Sequence, residues 1–155
     1  MPGYHKSICV RGACMTFEVE QRYIDEMVAH AKADVPNECC GVLLGRDGRV
    51  AQLRRCANAE QSPFRYSVDP RELLQIDREA REHDWDVISI YHSHTHTEAY
   101  PSPTDVRLAG YPEALYILVS LQNPEQPGVR GYYIRDGVIT EEALEALSDE
   151  TARGS

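Results

Sequence analysis

The sequence predicts one α/β (α+β) domain in which a mixed central β-sheet is flanked by helices. Three observations carry this expectation. Apolar runs of strand length recur along the chain, two Asp-Gly pairs each separate a pair of such runs, and two segments switch to helical spacing. The order read from them is β-α-β-β-β-α-β-loop-β-β-β, and strands interspersed with helices pack as a sheet covered by helices. The 155 residues fit a single domain.

Regular patterning starts with "MTFEVE" at Met15, a first strand. Residues 1–14 form an N-terminal extension expected to be loosely ordered, residues 15–148 the domain, and residues 149–155 a tail. Tyr23, Ile24, Met27, Val28 and Ala31 recur at helical spacing, predicting a helix over residues 20–33 that Pro36 closes. "CCGVLLG" reads as a buried strand, and "RDGR" turns it into "VAQLRRC", a hairpin signal. After a turn at Ser62-Pro63, "FRYSV" reads as a short strand. Asp69 as N-cap, Pro70 at the first helical position and Glu72 behind it open a second helix, with Leu73, Leu74, Ile76 and Ala80 as its apolar face. "DVISIYH" is a β-branched strand, and "LYILVSL", almost wholly apolar, is expected at the sheet centre. "VRGYYIR-DG-VIT" gives the last hairpin and "EEALEAL" a short terminal helix.

A net charge of −9 and a pI near 5.1 repel phosphates, so nucleic acid and anionic membranes are excluded as main partners. No apolar run approaches the ~18 residues of a membrane helix, and the start lacks a signal peptide's apolar stretch, so a cytoplasmic location is expected. Cys9, Cys14, Cys39, Cys40 and Cys56 form no CxxC pair and fit reduced thiols. They read as small apolar residues, with a nucleophilic Cys39 or Cys40 as the alternative.

Chemistry concentrates in "YHSHTHTEAYPSPTDV", residues 91–106. His92 and His94 lie two apart at a strand end, so both imidazoles face one side, with Cα atoms roughly 6–7 Å apart. Neutral imidazole is a preferred zinc donor, and catalytic zinc takes three protein ligands. Asp105 is the third candidate, returned towards the histidines by a loop that Pro101 and Pro103 stiffen. Such a set leaves one net positive charge, enough to draw the pKa of a bound water from 15.7 towards about 7. His96 shares the parity of the other two, but the chain has left the strand by then. "SPTD" is also an ordinary helix start with Ser102 as N-cap, and a His-rich run can be a solvated loop. Hydrolysis needs a general base from elsewhere in the chain. Glu38 stands just before a buried strand, a place where an acid is ordinarily exposed.

These residues together resemble the JAMM (MPN+) metalloprotease signature: an upstream Glu, H-x-H, a spacer, then Asp with Ser three positions before it. "PNECCGVLLG" resembles the family's P-x-E-x-x-G-x-L-x-G segment, and the resemblance runs from about Met15 to Thr140. It implies a JAMM/MPN fold, one Zn2+ per chain held by His92, His94 and Asp105, Glu38 as acid/base, and Ser102 as donor to the developing oxyanion. Cys39 and Cys40 have no role in it. The His-rich segment is most similar to the bacterial branch acting on ubiquitin-like sulfur-carrier proteins. The resemblance thus implies hydrolysis after the carrier's C-terminal Gly-Gly, with release of cysteine. Thr95 stands where many eukaryotic deubiquitinating members have Pro, and their longer insertions are absent, against ubiquitin-chain specificity. Removal of a ubiquitin-like modifier from lysine and a non-catalytic MPN scaffold are the alternatives, and a homodimer is compatible with the chain.

Overall fold

The computed structural model describes residues 16–149. The expected N-terminal extension, with Cys9 and Cys14, and residues 150–155 of the tail lie outside them. In chain order the elements are β1 (Thr16–Glu20), α1 (Gln21–Asp34), β2 (Cys40–Arg46), β3 (Arg49–Cys56), α2 (Pro70–His83), β4 (Asp86–His94), α3 (Pro103–Leu108), β5 (Leu115–Ser120), β6 (Gly128–Arg135) and β7 (Val138–Leu147).

The strands make one mixed seven-stranded sheet in the order β1-β7-β6-β5-β4-β2-β3, with β5 in the middle, as its unbroken apolar run predicts. Pairs β4–β5 and β1–β7 are parallel and the others antiparallel. Alternation along the strands divides the core into two layers. Leu43, Tyr91, Leu115, Ile117 and Val119 pack with Tyr23, Met27 and Ala31 of α1 on one face. Cys40, Val42, Ile90, Tyr116 and Leu118 pack with Ile76 and Ala80 of α2 on the other. The period of two therefore commits His92 and His94 to the α2 face.

Both hairpins turn where the sequence says. Asp47 and Gly48 have φ of 54° and 77°, and Asp136 and Gly137 have 52° and 78°. Positive φ at both central residues defines the turn whose twist matches the strands, which is why Asp-Gly is used. Asp69 caps α2, accepting a hydrogen bond from the Arg71 backbone N–H at 2.7 Å.

Two expectations fail. "EEALEAL" is not a helix but the second half of β7. Its Ala, Leu and Glu favour a helix locally. However, residues 138–142 extend the hairpin onto β6, and Ala143 to Leu147 pair with Thr16 to Glu20 of β1. Without that strand β1 would have no partner for its backbone, so the ladder overrides propensity. "FRYSV" is not a strand either, contributing one isolated bridge between Val68 and Asn58. Its polar backbone is served by a side chain instead. The Asn58 amide donates to the carbonyls of Glu38 and Arg65, each at 3.0 Å, and more distantly to Ser62 at 3.4 Å. Its oxygen accepts from the N–H groups of Glu60 at 3.0 Å and Ser67 at 3.1 Å.

Candidate metal centre

His92 and His94 end β4, buried to 1% and 5% exposure. Asp105 lies in the first turn of α3, and its Oδ2 is 3.2 Å from His92 Nε2 and 3.0 Å from His94 Nε2. The loop returns through a reciprocal cap: Ser102 Oγ accepts from the Asp105 N–H at 3.0 Å, while Asp105 Oδ2 accepts from the Ser102 N–H at 2.9 Å. Ser102 uses a lone pair for this, so its hydroxyl proton is free for another acceptor. The cap and donor readings of Ser102 therefore do not compete.

Three ligand atoms, one each from His92, His94 and Asp105, lie within 4.8 Å of one another. Their fit to a cation follows from their donors. His94 Nδ1 is 2.9 Å from the Glu98 carbonyl, which only accepts, so Nδ1 carries a proton; in the neutral ring this leaves the Nε2 lone pair facing Asp105, and in the charged ring Nε2 donates to it. Among the described residues His92 Nδ1 has no hydrogen-bond partner, and the neighbour of Nε2 is Asp105 Oδ2 at 3.2 Å. Converging lone pairs at this range are repulsive unless a proton or cation joins them. Two imidazole nitrogens and a carboxylate oxygen are donors that a divalent cation would take, and such an ion would relieve that repulsion. The residues fit a metal ion. Burial opposes the charge on Asp105, but the two imidazoles hold its carboxyl well below the usual carboxylate range. Burial pushes the His92 pKa down; on His94 the same effect is outweighed by hydrogen bonds to Asp105 and the Glu98 carbonyl, and the pKa rises.

Glu38 reaches the site through sheet register. Strand β2 runs antiparallel to β4 with Cys40 opposite His92. Two residues further out, Glu38 comes opposite His94. Ser93, pointing to the other face, clamps this continuation: its Oγ accepts from the Cys39 N–H at 2.8 Å, and its own N–H donates to the Cys39 carbonyl at 3.1 Å. Glu38 is 4% exposed rather than on the surface, and among the described residues its Oε1 has no hydrogen-bond partner. Burial pushes its carboxyl up to about 8; His94 opposes that rise and Asp105 adds to it. A dication on the neighbouring ligands would favour the carboxylate and bring this value down.

His96 is exposed, bonds to Thr95 Oγ1 at 2.8 Å, and is not in the ligand group. Burial pushes the Cys39 thiol up to about 12 and that of Cys40 higher still, so neither is a ready nucleophile. Sequence reasoning missed Ser93, Asn58 and Tyr66, whose ring stacks on His92 at 4.3 Å between centroids. Beside Asp105 opens a largely apolar cleft of about 410 Å3, lined by Val42, Tyr66, Ile76, Ile90, Leu108 and Tyr116.

The chain is 42% identical over 139 residues to the CysO-cysteine peptidase of Mycobacterium tuberculosis, covering 88% of this chain and 95% of that protein. It is 33% identical over 103 residues to the desampylase of Haloferax volcanii, covering 62% and 74% respectively. A solution structure of a protein from Desulfitobacterium hafniense superposes with a TM-score of 0.75 at 35% identity, covering 87% of this chain and 97% of that one. Among the described residues no helix is long and apolar enough to cross a membrane. The model for prokaryotic homologs of the JAB domain matches residues 20–133, and the chain belongs to that family.

Proposed function

We propose that the protein is a zinc-dependent peptidase that hydrolyses the amide bond after the C-terminal Gly of a ubiquitin-like sulfur-carrier protein, releasing cysteine. The observation that carries this reading is the buried Glu38 carboxyl, without a partner at Oε1 among the described residues, beside a His92-His94-Asp105 group fit for a metal. The similarity to a peptidase named for CysO-cysteine over nearly the whole of both chains supports the substrate class. The desampylase similarity supports a second substrate of the same chemistry, a modifier joined to a lysine amine.

His92, His94 and Asp105 would hold the ion, whose chemistry when bound would be to polarise the scissile carbonyl and make water acidic. Glu38 takes a proton from the attacking water and delivers it to the departing amine nitrogen, so that hydrolysis yields a carboxylate and a free amine. Ser102, its lone pair engaged in the cap, donates its hydroxyl proton to the carbonyl oxygen as negative charge develops there. The cleft beside Asp105 would receive the extended tail of the carrier, whose small terminal residues would let its backbone approach the His92-His94-Asp105 group.

Glu38→Gln keeps the shape of the side chain and removes its acid/base function. It is expected to retain one zinc per chain while losing at least about 100-fold in cleavage of a carrier–cysteine conjugate. Cleavage at the parental rate sinks the mechanism.

A further inference from the structure

The two histidines are held in different ways. His94 has the outer hydrogen bond, to the Glu98 carbonyl, that usually fixes the ring of a metal-binding imidazole. His92 has none among the described residues: its Nδ1 is buried there without a hydrogen-bond partner. The torsion about Cβ–Cγ is broad for histidine, so such a ring needs some other restraint to keep Nε2 on the ligand triangle.

The restraint in place is a face. The Tyr66 ring lies on the His92 ring at 4.3 Å and 22° between planes, while His94 meets the same ring edge-on at 5.2 Å and 65°. Tyr66 makes no hydrogen bond through its hydroxyl among the described residues, so what it offers is the ring. Its place is not accidental, because the flanking Arg65 carbonyl and Ser67 N–H are both bound by the buried Asn58 amide. The same amide holds the Glu38 carbonyl, so one side chain ties the Tyr66 segment to the base.

We propose that Tyr66 is a positioning residue for His92, its ring face standing in for the outer hydrogen bond that His94 has and His92 lacks. The inference rests on the metal reading above and adds a residue to it. It is tested with Tyr66→Phe, which keeps the face, and Tyr66→Leu, which keeps apolar bulk without a plane. Tyr66→Met serves as a second faceless replacement if the Leu protein does not fold. Zinc affinity is measured by competition with a chromophoric chelator, and melting of the metal-free proteins is recorded alongside. The Phe protein is expected to bind zinc within about 2-fold of the parent. The Leu or Met protein is expected to bind about 10-fold more weakly, the lower end of what losing an outer partner costs. A faceless variant with parental affinity overturns the inference whatever its melting temperature, and so does a Phe protein as weak as the Leu protein. A parent that binds no zinc overturns the metal reading and the inference with it. A parent that binds zinc beside an unaffected faceless variant overturns the inference alone.

Discussion

Replacing Asn58 by Asp changes one nitrogen to oxygen at a site that is 8% exposed. The side chain keeps its shape, and its remaining oxygen still accepts from Glu60 and Ser67. At the other end, a group that donated to the carbonyls of Glu38 and Arg65 at 3.0 Å now meets them with lone pairs. Each lost bond is worth about 1 kcal/mol net, and the orphaned carbonyls add to the cost. Asn58→Asp should therefore destabilise by about 3 kcal/mol, and Asn58→Ala, which also strips Glu60 and Ser67 of their acceptor, by a comparable amount. For a domain of this size that lowers Tm by roughly 6–12 °C. Thermal unfolding of parent, Ala and Asp proteins followed by circular dichroism reads the effect. Acid should narrow the gap between Asp and parent, because a protonated carboxyl regains one donor. An Asp protein that melts within 2 °C of the parent would show that the Ala57–Val68 segment is held by something else, and the account of Asn58 would fall.

Two other outcomes follow from the same geometry. Ser102→Ala should cost about 1 kcal/mol through the lost cap and about 10²–10³-fold in turnover through the lost donor, whereas Ser102→Thr keeps both functions; equal turnover in the Ala protein would leave Ser102 as a cap alone. His30 is buried with Nδ1 2.7 Å from the Tyr91 hydroxyl and Nε2 3.4 Å from Asp34. Burial holds its pKa below the ordinary 6.5, with Arg55 lowering it and Asp34 and Glu26 opposing. The unfolded chain therefore binds the proton more readily, so this contribution is intact above pH 6.5 and is lost as pH falls from there through the lower folded value. His30→Gln should flatten that acid decline in Tm, and parallel curves for the two proteins would refute it.

The elements legible in the sequence are those decided within a few residues. Asp-Gly at two hairpins, Asp69 ahead of Pro70, and the burial of "LYILVSL" each follow from a local φ preference, a cap or an apolar run. The shared face of His92 and His94 is local too, because strand geometry alone sets it. Asp105 is legible for a mixed reason, since the same "SPTD" start that caps α3 aims its carboxylate back at Ser102 and the histidines. The failures are all non-local. Residues 143–147 carry helix formers, and only β1, 127 positions earlier in the paired register, makes them a strand. "FRYSV" has strand formers, and only Asn58 relieves it of needing a ladder.

The sequence by itself determined the turns, the caps, the two-layer alternation and the kinds of atom offered to a metal, because these depend on short-range backbone sterics and on residue chemistry. Tertiary structure decided that Glu38 is buried against His94, that Ser102 caps with its proton to spare, and that Tyr66 lies on His92. Each depends on the register of β2 against β4 or on the Asn58 amide, and so on which distant backbone groups satisfy one another once water is excluded.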